Sequence, residues 1–138
     1  MMELEMSYDQ WRTDELQGTT QADYVIALDA RLRLIDGGVT LLEETGFPVV
    51  ELARSLLAWL DGFADGDFEF ESMSYEESGA IRIQQTEAGW VVGSVFAPGL
   101  TTAPTDRSGV EERCRLIVAM VESDLEELGV DPAEVLRR

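Results

Sequence analysis

Hydrophobic and polar residues alternate along the first third of the chain, and this alternation predicts β-strands. A weak alternation over residues 2–8 predicts a short strand. From Tyr24 to Leu34 an apolar residue occupies every second position, which is typical of a half-buried strand. Asp36-Gly37-Gly38 predicts a hairpin turn, because glycine readily adopts the positive φ that such turns need. Val39–Glu43 is the expected partner strand.

The next apolar pattern has the spacing of a helix. Apolar residues recur at three- and four-residue intervals from Val49 to Leu60, and Pro48 suits the first turn, where its missing N–H costs nothing. Three strands are then expected in meander order, over residues 67–71, 80–86 and 90–96. Because short glycine-containing turns separate these strands, each is expected to pair with its neighbour along the chain.

The last third of the chain predicts two more helices. Residues 97–107 contain two prolines and three threonines and predict a crossover loop. Ser108-Gly109-Val110-Glu111 matches a capping box and predicts a helix from there to about Leu128. Asp131-Pro132-Ala133-Glu134 predicts the start of a short terminal helix. The apolar stripe of the longer helix comprises Val110, Cys114, Ile117, Val121, Leu125 and Leu128.

These elements together predict an α+β fold in the order βββα–βββα. We expect two layers: an antiparallel sheet of about six strands, two main helices packed on one face of it, and a short C-terminal helix. The 138 residues fit one domain over 1–138, long enough to bury a core without metal or disulfide support. The predicted core consists of Ile26, Leu28, Leu32, Leu34, Leu52, Leu56, Phe68, Phe70, Ile81, Ile83, Val92 and Ile117.

Charge and composition exclude several classes of function. The chain has 28 acidic residues against 10 basic ones, a formal net charge of −18, which repels nucleic acids and anionic membranes and favours basic protein surfaces. All ten bases are arginine, and the chain has no lysine and no histidine. The commonest acid–base residue, the commonest metal ligand and the Schiff-base amine are therefore missing. We predict no enzymatic activity, no catalytic residue, no cofactor and no metal site.

The expected location is the cytoplasm. Cys114 is the only cysteine and cannot form an internal disulfide. The N-terminus lacks the basic and apolar regions of a signal peptide, and no apolar run approaches the 18 residues of a membrane span. Cys114 is expected to be a buried structural residue, and neither its thiol nor the Ser94 hydroxyl has a histidine or lysine base to activate it.

The strand over residues 67–71 is the sharpest candidate for a binding site. Alternation places Asp67, Glu69 and Glu71 on one face, at a spacing of roughly 7 Å. These carboxylates repel one another unless a cation or an arginine-rich partner lies opposite. The alternative is a solvated face that Arg82 partly neutralises from the neighbouring strand. The predicted partner-binding residues are Asp65, Asp67, Glu69, Glu71, Tyr75, Glu76 and Glu77.

Three segments carry a resemblance to known proteins: Phe47–Leu57, Asp67–Glu77 and Gly89–Phe96. Over residues 22–97 the chain resembles a group of small, acidic, uncharacterised actinobacterial proteins. Proteins of this kind are similar to the immunity proteins of bacterial toxin systems, which neutralise a cationic toxin by covering its active site. The resemblance implies a non-enzymatic, immunity or antitoxin-like inhibitor that binds a basic protein partner through an acidic face.

Two other functions stay open. One is a nucleic-acid mimic that occupies the DNA-binding groove of a nuclease or repressor, with carboxylates spaced like phosphates. The other is a small-molecule-binding or enzymatic domain, which a deep pocket lined by Trp11, Trp59 or Trp90 with a buried glutamate would favour. Oligomeric state and the order of strands in the sheet do not follow from the sequence.

Overall fold

The computed structural model describes residues 4–14, 16–18, 20–62, 66–72 and 78–137, and the side chain of Ile26 is not described. Within these residues six strands form two antiparallel sheets of three strands each, ordered β1-β2-β3 and β4-β5-β6. The elements in chain order are β1 (Leu4–Arg12), α1 (Gln21–Ala27), β2 (Asp29–Asp36), β3 (Val39–Phe47), α2 (Val49–Asp61), β4 (Phe68–Glu69), β5 (Arg82–Thr86), β6 (Gly89–Gly93), α3 (Arg107–Glu127) and α4 (Pro132–Leu136).

The predicted α+β class is confirmed, but the single six-stranded sheet is wrong. The six strands occur in the predicted order along the chain and divide into two sheets, with α2 between them in the chain. Strand pairing was predicted from local turns alone. The predicted pairing of β2 with β3 and of β5 with β6 is confirmed. A single sheet would require β3 and β4 to pair with each other. Such pairing depends on long-range packing, which local turns do not indicate.

The first sheet is built on the predicted hairpin. Gly37 and Gly38 have φ angles of 55° and 86°, as the turn between β2 and β3 requires. β1 pairs antiparallel with the other side of β2 and continues to Arg12, beyond the predicted residue 8. The register shifts between Asp9 and Arg12, where Gln10 has a φ of 54°, so the regular edge of β1 ends at a bulge.

The prediction of a strand from Tyr24 to Leu34 is wrong for its first half. Residues 21–27 form α1, and the strand begins only at Asp29. Thr20 caps this helix through a capping box, since its hydroxyl accepts from the Asp23 amide at 3.2 Å and the Asp23 carboxylate accepts from the Thr20 amide at 3.0 Å. Val25 is buried and Tyr24 packs against the core, and both do so from a helix instead of a strand.

The α2 helix confirms the clearest periodicity in the sequence. It covers Val49–Asp61 and begins directly after Pro48, which occupies the N-cap. Its buried residues include those at the predicted three- and four-residue spacing, together with Trp59 and the charged residue Glu51. α2 packs against α3 and contacts α1 and α4, which places it at the centre of the helical layer.

The second sheet is shorter than predicted. β4 contains only Phe68–Glu69, and β6 ends at Gly93 instead of Phe96. The predicted crossover loop runs beside β6 and forms isolated bridges to it at Thr101 and Thr105. A Cβ on Gly93 would lie 3.0 Å from the Leu100 carbonyl oxygen, so the loop backbone approaches β6 closely at this glycine.

The predicted start of α3 is wrong by two residues. Asp106, not Ser108, is the N-cap, and its Oδ1 accepts from the Gly109 amide at 2.9 Å. The predicted apolar stripe is buried except for Leu128, which lies just past the helix end and is exposed. The predicted cap of α4 is confirmed, because the Asp131 side chain accepts from the Ala133 amide at 3.0 Å.

Residues of both sheets and of α2, α3 and α4 form one continuous apolar cluster. Every predicted core residue whose side chain the structure describes is buried; Ile26 lies outside that set. The largest fully buried side chains include Phe47 and Phe70, whose ring centroids lie 5.6 Å apart. Of the helices in the described ranges, none is long and apolar enough to cross a membrane.

Candidate functional site

The predicted acidic face lies along β4, at one edge of the second sheet as described. Asp67, Glu69 and Glu71 are exposed, whereas Phe68 and Phe70 are buried. The predicted alternation of carboxylates outward and rings inward is therefore confirmed. Asp65, Tyr75, Glu76 and Glu77, the other predicted binding residues, lie outside the described residues.

Two of the three described carboxylates on this face also hold the sheet together. Asp67 Oδ1 accepts a hydrogen bond from the Gln85 amide at 2.9 Å. Glu69 lies opposite Arg82 in the strand register, with its Oε1 3.9 Å from Arg82 Nε, and it accepts from Ser78 Oγ at 3.3 Å. The expected cross-strand neutralisation by Arg82 is therefore present. Glu71 lies beyond the end of β4 and is exposed.

The outward face of the first sheet carries a network of paired charges. Asp9 accepts from Arg31 Nε at 2.8 Å and Nη2 at 2.6 Å, and from Arg33 Nη2 at 3.2 Å. The hydrogen bonds from Arg31 lower the pKa of the Asp9 carboxyl below its usual value. Arg31 also lies 3.4 Å from Glu43 on β3. On this face each arginine has a carboxylate beside it, so the two signs of charge are interspersed.

An arginine packs against two buried indoles where α3 begins. The Arg107 guanidinium carbon lies 4.6 Å from the ring centroid of Trp59 and 5.2 Å from that of Trp90. The two indole centroids are 6.0 Å apart at an angle of 67°. Arg107 Nε also donates to Glu111 Oε1 at 2.9 Å. Trp59 and Trp90 therefore belong to the core and to an arginine contact, and a ligand pocket lined by their faces is not favoured.

A polar cleft of about 480 Å³ separates α2 from α4. Arg137 and Asp61 form an ion pair across it, with Nη1 and Oδ2 at 2.6 Å. Glu51 lies at the cleft and is buried, although it is a carboxylate on a helix that otherwise buries apolar residues. The lining residues are Glu51, Arg54, Ser55, Leu57, Ala58, Asp61, Leu136 and Arg137.

An apolar groove of about 310 Å³ lies between β1 and α3. Leu116 and Met120, which are 50% and 36% exposed, form its helical wall. Next to it the Tyr8 hydroxyl donates to the Asp124 carboxylate and ties β1 to α3. Sequence analysis missed this groove, although Leu116 and Met120 are apolar residues outside the predicted buried stripe. The lining residues are Leu4, Glu5, Met6, Ser7, Arg113, Leu116 and Met120.

The family model of a domain of unknown function, DUF7878, matches residues 4–127. The chain belongs to the DUF7878 family. In this DUF7878 protein the matched segment runs from the first residue of β1 to the last residue of α3. The acidic face and the apolar groove lie within it, whereas α4, one wall of the polar cleft, lies outside. No curated protein and no solved structure matches the chain.

Cys114 and Ser94, the two nucleophiles considered from the sequence, are both buried in this DUF7878 protein. Burial, together with the charge of Glu111, raises the pKa of the Cys114 thiol to about 12, and the thiol is therefore protonated near neutral pH. Ser94 is buried and its Oγ accepts from the Phe96 amide at 3.1 Å. Across the described ranges no three acidic or cysteine residues are grouped so as to hold a metal ion.

Proposed function

We propose that the protein is a non-enzymatic binding protein, an immunity or antitoxin-like inhibitor that acts in the cytoplasm and binds a basic protein partner through acidic surface. The observation that carries this proposal is the imbalance of 28 acidic residues against 10 arginines. A net charge of −18 creates a long-range field that attracts cationic proteins and repels nucleic acids.

Internal ion pairs leave the excess of negative charge unchanged, but they engage more than half of the arginines that could oppose it. An arginine already paired with a carboxylate of its own chain offers little positive charge to a partner, whereas the acidic residues in excess remain to attract one. Exposed acidic residues occur just beyond β4, on α3 and on α4, among them Glu71, Glu126 and Glu134. The arginines in ion pairs are Arg12, Arg31, Arg33, Arg82, Arg107 and Arg137.

Electrostatic attraction acts first on the rate of association. Complementary fields raise the association rate constant above that of a neutral pair, and salt lowers it because the Debye length is only about 8 Å at physiological ionic strength. Just before β4, Asp67 accepts a hydrogen bond from the Gln85 amide, which holds its carboxylate in a fixed direction. Such a preorganised charge meets an arginine- or lysine-rich surface with little loss of side-chain entropy.

The test begins with capture of the partner on the immobilised protein at low salt, followed by stopped-flow association with the purified pair. Between about 20 and 500 mM salt, the association rate constant is expected to fall on the order of tenfold or more. A rate constant that does not change with salt contradicts the electrostatic mechanism. Stoichiometric loss of the partner's activity on binding is the further result expected of an inhibitor, and full activity in the complex contradicts that part of the proposal.

Glu71→Arg is the variant that tests the acidic face. Glu71 is exposed beyond the end of β4, so its reversal is expected to slow association several-fold and leave folding unchanged. Glu69 is a poorer choice because it lies opposite Arg82. Glu134→Arg, on α4, changes the net charge by the same amount and is the matched control. Equal effects of the two variants would show that total charge matters and that the β4 face does not.

A further inference from the structure

The groove between β1 and α3 runs along the edge of a strand. β1 lies at one end of the order β1-β2-β3, so only one of its edges is paired with β2. The groove contacts four consecutive residues of this strand, Leu4 to Ser7. Successive side chains of a strand point to opposite faces, so a groove that contacts all four must follow the strand's edge.

The opposite wall is one stripe of α3. Arg113, Leu116 and Met120 are spaced by three and four residues and therefore lie on one side of the helix. Leu116 and Met120 are among the large apolar side chains that remain exposed. The groove between this stripe and β1 has a volume of about 310 Å³. Among the described residues no further strand occupies this edge.

Within β1 itself, little in the sequence protects the edge against pairing with another strand, and α3 lies across the groove from it. Natural edge strands are usually blocked by charged residues, proline or a bulge. In Leu4–Tyr8 the only charged residue is Glu5, and proline is absent from this segment. The bulge at Gln10 interrupts the pairing only after Asp9. The segment from Leu4 to Asp9 is therefore a regular edge of about 20 Å, long enough to pair with a short peptide.

The charges near the groove favour a basic occupant. Glu112 lies one helical turn before Leu116, and Asp124 lies one turn after Met120. Glu5 lines the strand side of the groove, and Arg113 is the basic residue in the lining. From Val121 to Glu127, α3 contains four acidic residues and no basic one. A second copy of the chain would bring another net charge of −18 to this surface, which opposes self-association.

We propose that this groove is a strand-addition site for an extended segment of a basic protein partner. The segment pairs through its backbone with the edge of β1, and alternate side chains pack on Leu116 and Met120. The side chains between them are lysine or arginine, which meet Glu5 and the acidic residues of α3. This proposal takes from the proposed function only the basic character of the partner. It places the contact on a surface other than the β4 face.

The test uses a defined probe, a capped, fluorescently labelled eight-residue peptide of alternating valine and arginine. Its binding is measured by fluorescence anisotropy at low salt. Leu116→Ser is expected to weaken binding by about tenfold or more, because it removes the central apolar contact. Leu100→Ser removes a leucine that is 45% exposed in the loop after β6, outside the groove, and is expected to leave binding unchanged. Equal effects of the two variants, or no binding of the peptide, overturn the proposal.

Two altered peptides separate strand addition from attraction of charge. A peptide with N-methyl groups on alternate amides cannot pair along one edge, and one with serine in place of valine keeps only the charges. Both are expected to bind at least about tenfold more weakly than the parent peptide. If the serine peptide binds as tightly as the parent, or if Glu71→Arg weakens binding and Leu116→Ser does not, the groove proposal fails while the acidic face on β4 stands.

Sedimentation of the protein alone tests whether a second copy is the occupant. The protein is expected to stay monomeric at the concentrations used for peptide binding, in agreement with its net charge of −18. Dimerisation that Leu116→Ser abolishes would assign the groove to a second copy and overturn the proposal.

Discussion

Replacement of Arg107 by methionine removes the cation that packs on two indoles but keeps an unbranched side chain of similar length. The guanidinium carbon lies 4.6 Å and 5.2 Å from the ring centroids of Trp59 and Trp90, and the arginine side chain is 27% exposed. Because the side chain is largely withdrawn from water, each ring contact is expected to contribute about 1 kcal/mol, between the exposed and the desolvated values.

Two smaller contributions accompany the ring contacts. The ion pair with Glu111, at 2.9 Å and four residues along the helix, adds about 0.5 kcal/mol. The position of Arg107 in the first turn of α3 opposes this by about the same amount, because a cation is unfavourable at a helix N-terminus. The variant is therefore expected to lose about 2 kcal/mol of unfolding free energy, which corresponds to roughly 7 °C in melting temperature for a chain of this length.

The assay is urea unfolding followed by far-UV circular dichroism, since the fluorescence of Trp59 and Trp90 would respond directly to loss of the guanidinium. Arg115→Met changes an exposed arginine on the same helix and is expected to stay within about 0.5 kcal/mol of the parent protein. Glu111→Gln removes the ion pair alone and is expected to cost about 0.5 kcal/mol. If Arg107→Met costs no more than Arg115→Met, the two ring contacts contribute nothing and the reasoning is refuted.

Two further predictions concern buried titratable groups. Burial and the hydrogen bond to Asp124 raise the pKa of Tyr8 above its value in the unfolded chain. The neutral Tyr8 side chain therefore stabilises the folded protein fully below pH 10, and this stabilisation is lost as the pH rises from there toward the folded-state pKa. Urea titrations from about pH 8 to 11 should show a smaller loss of stability in Tyr8→Phe than in the parent protein, and equal losses would contradict this. The Cys114 thiol, with its pKa raised to about 12, should react with iodoacetamide only as fast as the protein opens, and labelling at the rate of a free thiol would show that the site is accessible.

Local sequence patterns predicted the elements whose periodicity was unambiguous. The spacing of apolar residues in α2 and the glycines of the β2–β3 turn each fit only one structure. The failure at α1 has a physical explanation. Tyr24 and Leu28 fit an alternating strand and are also four residues apart, as on a helix, and the Thr20–Asp23 capping box decided between the two.

The observed start of α3 is accompanied by contacts that are distant in the sequence. Asp106 and Ser108 are both good N-cap residues, and the sequence around them fits either choice. With Asp106 as the cap, Arg107 enters the first turn and packs on Trp59 and Trp90, 48 and 17 residues away in the sequence. The division into two sheets was unpredictable for the same reason, because it depends on packing between segments that no local turn connects.

Of the candidate sites, sequence reasoning found the charged face and missed the apolar groove. Alternation within one strand was enough to place Asp67 and Glu69 outward and Phe68 and Phe70 in the core. A groove needs two elements, and the sequence gives no sign that the edge of β1 faces α3. Leu116 and Met120 were the available signal, since apolar residues outside the buried stripe of a helix are expected to meet another surface.

The two proposed surfaces have different physical roles in binding. Carboxylates that remain at the rim attract a basic partner from a distance, but each contributes little once the complex has formed, because water and salt screen exposed charges. The lifetime of a complex depends on desolvated apolar contacts near the centre of the interface. Loss of such contacts chiefly raises the dissociation rate. The β4 face supplies charge, and the two aromatic rings that the structure describes there, Phe68 and Phe70, are turned inward and offer no such anchor. The groove supplies an open strand edge and two exposed apolar side chains beside acidic residues. If the proposed function is correct, the β4 face is expected to govern the speed of encounter and the groove the lifetime of the complex.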